Sequence, residues 1–247
     1  IYIYIYMARP ASAHPGNIDV LMKRSTDNGI TWSDESIVWS DGENTCGNPT
    51  PVIDHQTGRI WLFLTWNHGD DNETQIIHKK SKFPRLPYLS FSDDDGLTWS
   101  EPKNMNDSCR NPSWGWYATG PGVGIQIKKG KFKGRLVIPS NHSYDDINGE
   151  IRNGPFNYGA HVLFSDNNGS SWEISDSIFP GCNESQIVEL ENDWFGTFGS
   201  RNQESRKPKS QVSKSITYSD VKKAFMVGGT SDAGDFRLDA ATRCRWL

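Results

Sequence analysis

Ser92-Asp93-Asp94-Asp95-Gly96-Leu97-Thr98-Trp99 is one of three closely similar octets in this chain. Ser25-Thr26-Asp27-Asn28-Gly29-Ile30-Thr31-Trp32 begins 67 residues earlier, and Ser165-Asp166-Asn167-Asn168-Gly169-Ser170-Ser171-Trp172 begins 73 residues later with Asn167 in place of the central Asp. The pattern has a physical rationale. Asp27, Asp94 and Asn167 are expected to accept backbone N–H groups across a turn, the glycine to take positive φ, and the tryptophan to bury its ring beneath the loop. Each octet is therefore a stapled hairpin turn with a structural role. Three copies at nearly even spacing mark a repeat, and four-stranded blades arranged radially are the architecture this period favours. Thr230-Ser231-Asp232-Ala233-Gly234 looks like a degenerate fourth copy that lacks the tryptophan.

Outward from these turns the chain continues to read as strand and turn. Ile1 to Ala8 alternates as a strand that ends at Arg9-Pro10, a small-residue loop follows from Ala11 to Asn17, and Ile18 to Arg24 forms the next strand. Pro51–Asp54 with Arg59–Trp66, and Gly124–Ile127 with Arg135–Pro139, read as further hairpins. The 12% aromatic content, 23 glycines and 13 prolines agree with an all-β chain of many short strands and very little helix. Beyond Glu204 the texture turns polar and basic, so a domain over residues 1–205 and an atypical segment over 206–247 are expected. The strand-like opening IYIYIY leads us to expect sequence upstream of it.

Charge and cysteine content exclude several classes. A net charge of −4 and a pI near 5.9 give no electrostatic footprint for nucleic acid or an anionic membrane. No apolar run approaches the roughly 20 residues that span a bilayer. Cys46, Cys109, Cys182 and Cys244 are scattered without CxxC spacing, which argues against a zinc site and leaves the redox compartment open. His55 and His78 read as surface residues, and Lys128 to Lys133 as a solvated loop.

Candidate chemistry concentrates between Gly181 and Gln203. Ser185–Leu190 and Trp194–Phe198 are β-prone, and Glu191-Asn192-Asp193 has turn composition. In that hairpin Glu184 and Arg201 finish at the same edge of the sheet, away from the turn, and can face one cavity.

An ordered set of segments carries a family resemblance: Ala8-Arg9 with the loop into IDVLMKRS, NTCGNPTPVID (44–54), WYATGPGVGIQI (116–127), GRLVIPSNH (134–142), and NESQIVEL with SRNQ (183–203). With the octets, which match the Asp boxes of that family, residues 1–203 resemble the exo-α-sialidases. These are glycoside hydrolases built on a six-bladed β-propeller, of which about four blades would be present here. The resemblance implies release of terminal α-linked sialic acid with retention. The sugar carries a carboxylate on its anomeric carbon, so a carboxylate nucleophile would meet a like charge, and a neutral tyrosine activated by a glutamate takes its place. Arginines clamp the substrate carboxylate, and a carboxylic acid protonates the leaving oxygen.

By this resemblance Glu184 is the base paired with the tyrosine, Arg201 the second of three carboxylate-binding arginines, and Arg9 the arginine beside the acid loop. His14 stands where the family has its aspartic acid/base; His14 can in principle protonate a leaving group, whereas Asp19 lies too far into the following strand to replace that acid. The first clamping arginine falls upstream of Ile1, and the third arginine and the tyrosine have no clear match, Tyr218 being too near Arg201. Trp114, Trp116, Tyr117, Gln126, Asn141 and His142 are candidates to line the sugar pocket. The implied partners are sialylated glycoproteins, glycolipids and oligosaccharides; the implied location is secreted or periplasmic, with no cofactor or metal. Two other readings stand beside this one. A non-catalytic Asp-box propeller that binds glycan or protein is favoured by His14. A glycosidase for neutral glucans would need two opposed carboxylates and no arginine facing them.

Overall fold

The computed structural model describes residues 1–10, 14–145, 158–178, 182–190 and 194–201, with the backbone alone for residue 190 and for 194–201. The expected segment 206–247, the degenerate octet at 230–234, Tyr218 and Cys244 lie outside the described residues.

Four antiparallel sheets follow one another along the chain. The first holds β1 (Tyr2–Ala8), β2 (Asp19–Ser25) and β3 (Ser36–Trp39) in sequential order. The second holds β4 (Thr45–Ile53), β5 (Ile60–Asn67), β6 (Leu86–Ser92) and β7 (Lys103–Asn104). In the third, β8 (Tyr117–Thr119) and β9 (Ile125–Gln126) share one edge of β10 (Leu136–Ser143), which continues into β11 (Tyr158–Ser165) and β12 (Glu173–Ile174). The fourth pairs β13 (Cys182–Leu190) with β14 (Trp194–Arg201). Two short helices, α1 (Glu73–Ile77) and α2 (Asn106–Cys109), interrupt the strands.

The sheets pack face to face, and strand alternation explains how. Along β5 every residue from Ile60 to Thr65 is buried, because this strand serves two interfaces at once. Leu62 and Leu64 join Val20 and Cys46 between the first and second sheets; Trp61 and Phe63 join Leu136, Ile138, Leu163 and Trp172 between the second and third. Val137, Val162 and Ile187 continue the stack to the fourth. Each such side chain contributes about 1.5–3 kcal/mol on burial. The result is a partial β-propeller of successive antiparallel sheets. Cys46 and Cys109 are packed as apolar groups, and burial pushes their thiols up to about 12 and about 11.

The octet turns close one end of the sheets, here called the turn end. In the first, Gly29 N donates to Ser25 Oγ at 2.8 Å and Thr31 N to Asp27 Oδ1 at 2.9 Å. The same pair of bonds recurs at Gly96–Ser92 and Thr98–Asp94, and at Gly169–Ser165 and Ser171–Asn167. Asn28, Asp95 and Asn168 also take positive φ, from 57° to 63°, just before each positive-φ glycine. Hydrogen bonds from the Thr31 and Thr98 side chains, the largest effect, hold the Asp27 and Asp94 carboxyls down at about 2.

One expectation fails in the first copy. Trp172 is buried against Trp61 and Phe63 of the neighbouring sheet, whereas Trp32 is 44% exposed and meets Tyr4 of its own sheet edge-on. Burial of this tryptophan depends on an adjacent sheet rather than on the turn.

The opposite, loop end carries the long connections 9–18, 67–86 and 105–116, and the starts of β4, β8 and β13.

Candidate active site at the loop end

β1 delivers Arg9 to the loop end, since Ala8 pairs with Asp19 at the last rung of the ladder and Arg9 follows it, exposed. His14 opens a tight turn in which Asn17 N donates to the His14 carbonyl at 2.9 Å and Gly16 N donates to Nδ1 at 3.2 Å. With Nδ1 accepting, the neutral ring carries its proton on Nε2, which stands 3.5 Å from Asp70 Oδ1. Lys82 bonds the other oxygen of Asp70 at 2.6 Å and is the main reason that its carboxyl lies below the usual range. Asp70 is thus an anion facing a proton-bearing imidazole.

Two glycines clamp these loops together. A Cβ on Gly16 would sit 2.2 Å from the Gly69 carbonyl oxygen, and one on Gly69 would sit 1.9 Å from that of Glu43. Only glycine permits this backbone-to-backbone approach. Thr45 Oγ1 adds a bond to the Gly16 carbonyl at 2.7 Å. Asp19 is buried at the start of β2.

The hairpin of Glu184 and Arg201 is longer than the residues suggest. β14 runs through Arg201, which pairs with Cys182, and a register shift between Cys182 and Ser185 leaves Glu184 on a bulge. Glu184 is exposed. A bulge of this kind redirects the side chain it carries. The backbone therefore sets Glu184 and Arg201 at one end of one hairpin; the Arg201 side chain lies outside the described residues.

At the centre of the loop end stands Asn48, with φ of 47° at a bulge in β4. Its N–H donates to Met7 Sδ at 3.0 Å, its carbonyl accepts from Thr119 Oγ1 at 2.7 Å, and its side-chain oxygen accepts from Thr65 Oγ1 at 3.0 Å and from Arg85. Three sheets meet on this one residue. Arg85, absent from the sequence-derived candidates, is buried there and stacks on the Trp116 ring at 4.2 Å. The available signal was an arginine leading into the apolar run LPYLSFS, an unusual place for a charge.

The six sugar-pocket candidates do not form one cluster: Trp114, Tyr117 and His142 come together in the interior, whereas Gln126 lies at the opposite end. Trp116 is half-buried beside Arg85. Trp114 is buried and stacks on His142 at 3.7 Å, and His142 Nδ1 shares a hydrogen bond of 2.9 Å with His161 Nδ1. Burial lowers both imidazoles, His161 to about 3, so the pair is neutral in the interior. Tyr117 is fully buried and its phenol is pushed well up by desolvation. Asn141 is also buried, its amide without a protein partner among the described residues.

Gln126 requires a correction. It lies at the turn end, where Nε2 donates to Asp54 Oδ1 and the Gly134 carbonyl and Oε1 accepts from His55 N. Its amide ties the second sheet to the third and leaves nothing to offer a sugar. Among the described residues no group of three or more His, Cys, Asp or Glu could hold a metal, and no helix is long and apolar enough to cross a membrane.

The profile of the BNR repeat-like domain family matches residues 5–225, which include Arg9, His14, Glu184 and Arg201. The chain belongs to that family. Its curated relatives are sialidases: the sialidase of Bacteroides fragilis is 29% identical over 190 residues, covering 71% of this chain and 32% of the relative. The exo-alpha-sialidase of Aspergillus fumigatus is 35% identical over 142 residues, covering 51% of this chain and 34% of the relative. Among solved structures, Hadza microbial sialidase Hz136 superposes with a TM-score of 0.63 at 27% identity, over 81% of this chain and 42% of that one. A leech intramolecular trans-sialidase, at 16% identity and a TM-score of 0.61 over 81% of this chain and 45% of that one, shares the fold. The chain spans about a third of the length of these curated relatives.

Proposed function

We propose that this BNR-family chain carries the sialic-acid site of an exo-α-sialidase acting on sialylated glycans. Glu184 draws the proton from a tyrosine nucleophile, Arg9 and Arg201 bind the substrate carboxylate, and His14 supplies the proton to the leaving oxygen. The observation that carries this reading is the convergence of backbone: Glu184 on its bulge and Arg201 opposite Cys182 end one hairpin, at the same end of the sheets as Arg9 and His14. An acid and two arginines at one end of the sheets suit a sugar that is itself an anion. A neutral glucan would call for opposed carboxylates instead.

A fluorogenic α-sialoside assayed with the wild-type chain and with Glu184→Gln tests the proposal. Turnover with retention, reduced by about 10²–10⁴-fold in the variant, is the expected outcome for loss of a general base. Turnover indifferent to the substitution would remove Glu184 from the mechanism. A second reading, binding of sialic acid without hydrolysis, draws on His14: both its ring nitrogens face protein groups, Gly16 N and Asp70. Saturable binding of the sialoside with no turnover in the wild type would select that reading.

A further inference from the structure

Arg85 is a buried cation in a neutral cage. It is 5% exposed, and its guanidinium donates to three uncharged oxygens: Asn48 Oδ1, Asn67 Oδ1 and, at 2.8 Å, Thr65 Oγ1. Trp116 covers its flat face at 4.2 Å. Among the described residues no carboxylate forms an ion pair with it. The carboxylate whose charge most affects it, Glu73, is turned instead to the Tyr158 hydroxyl at 2.6 Å. Desolvation lowers the guanidinium to about 10, so it is still charged at neutral pH.

Burying a charge without an opposite charge costs several kcal/mol, and replacing such groups by apolar residues often stabilises a fold. A second guanidinium repeats the theme: Arg110 is buried, bonds the Trp114 carbonyl and Asn106 Oδ1, and has no carboxylate partner among the described residues. Arg110 holds the Trp114 carbonyl and Arg85 the Trp116 ring. Gly115 between them packs so closely that a Cβ would lie 2.8 Å from the Ile76 and Ile77 carbonyl oxygens. This segment leads directly into β8 of the third sheet.

From this geometry we infer that Arg85 is a specificity-determining residue that selects an acidic sugar over a neutral one, its charge, held without an ion pair among the described residues, acting through Trp116 and Asn48 without touching the ligand. The inference rests on the sialic-acid reading of the site. Among the described residues Arg85 has hydrogen bonds but no ion pair, Glu73 acting on it only from a distance; a bound carboxylate adds to that attraction, and a partly desolvated setting lets the interaction act over distance. Trp116, half-buried over the guanidinium, is the polarised surface that the sugar meets. Asn48 links the same charge to Met7, two residues before Arg9.

Isothermal titration with N-acetylneuraminic acid and with its neutral methyl ester tests this. The wild type is expected to prefer the acid, Arg85→Gln to lose about tenfold of that preference while keeping affinity for the ester, and Arg85→Lys, which keeps the charge, to retain the preference. An unchanged acid-to-ester ratio in a folded Arg85→Gln overturns the inference alone. A wild type that binds neither compound overturns the sialic-acid reading as well. Should Arg85→Gln not fold, Arg85→Lys decides: a preserved ratio supports a role for charge, and a collapsed ratio contradicts it.

Discussion

The two ends of these sheets spend their polar groups differently. At the turn end, Asp27, Asp94 and Asn167 each bind their own loops, Gln126 bonds Asp54, Gly134 and His55, and Arg59 and Arg135 form bidentate pairs with Asp93 and Asp166. At the loop end, Arg85 and Arg110 are buried among neutral groups. The Asn141 amide there has no protein partner among the described residues. Satisfied polar groups stabilise a fold, and a buried charge without an ion pair costs stability. The turn end is accordingly the staple, and the loop end is where the proposed site lies.

The largest effect that separates the ends is kinetic. Glu184→Gln is expected to lower kcat by about 10²–10⁴-fold with no change in melting temperature, because Glu184 is exposed. A drop in stability of the same variant would mean that the bulge is structural. At the turn end the effect should invert: Gln126→Leu strands the Gly134 carbonyl and the His55 N–H and is expected to cost about 1–3 kcal/mol in chemical denaturation. Its KM should match the wild type, and a changed KM would return Gln126 to the sugar pocket.

The smallest effects lie in the turns themselves. Asp27 and Asp94 have folded values near 2, below an ordinary aspartate, so their contribution is complete above about pH 4 and is lost as the pH falls toward 2. The third copy already shows the remedy, since Asn167 Oδ1 accepts from Ser171 N and Nδ2 donates to Ser171 Oγ. The double variant Asp27→Asn, Asp94→Asn is expected to match wild-type stability at pH 7 and to unfold less steeply between about pH 4 and 2. An unaltered acid limb would show that other carboxylates govern it.

The features legible in the sequence were local ones. The octets declared themselves because their bonds join residues two to four positions apart. Glu184 and Arg201 were placed by two β-prone runs around a turn, and their roles came from the family resemblance. What escaped depends on partners distant in the chain. Arg85 finds its acceptors 18 to 37 residues away, and nothing near it in sequence announces Asn48. Gln126 was misplaced because a sugar-binding amide and a sheet-joining amide look alike until the strand's two ends are told apart. Trp32 and Trp172 share a motif and differ in burial because only one has a neighbouring sheet against it.

Chemical-shift mapping of N-acetylneuraminic acid on the ¹⁵N-labelled chain tests the division between the ends most directly. The account predicts perturbations at Arg9, His14, Asn48, Glu184 and the Trp116 indole, with Trp172, Gln126 and the three Asp-box turns unmoved. Shifts gathered at the Asp-box turns, or none at millimolar sugar, would contradict it.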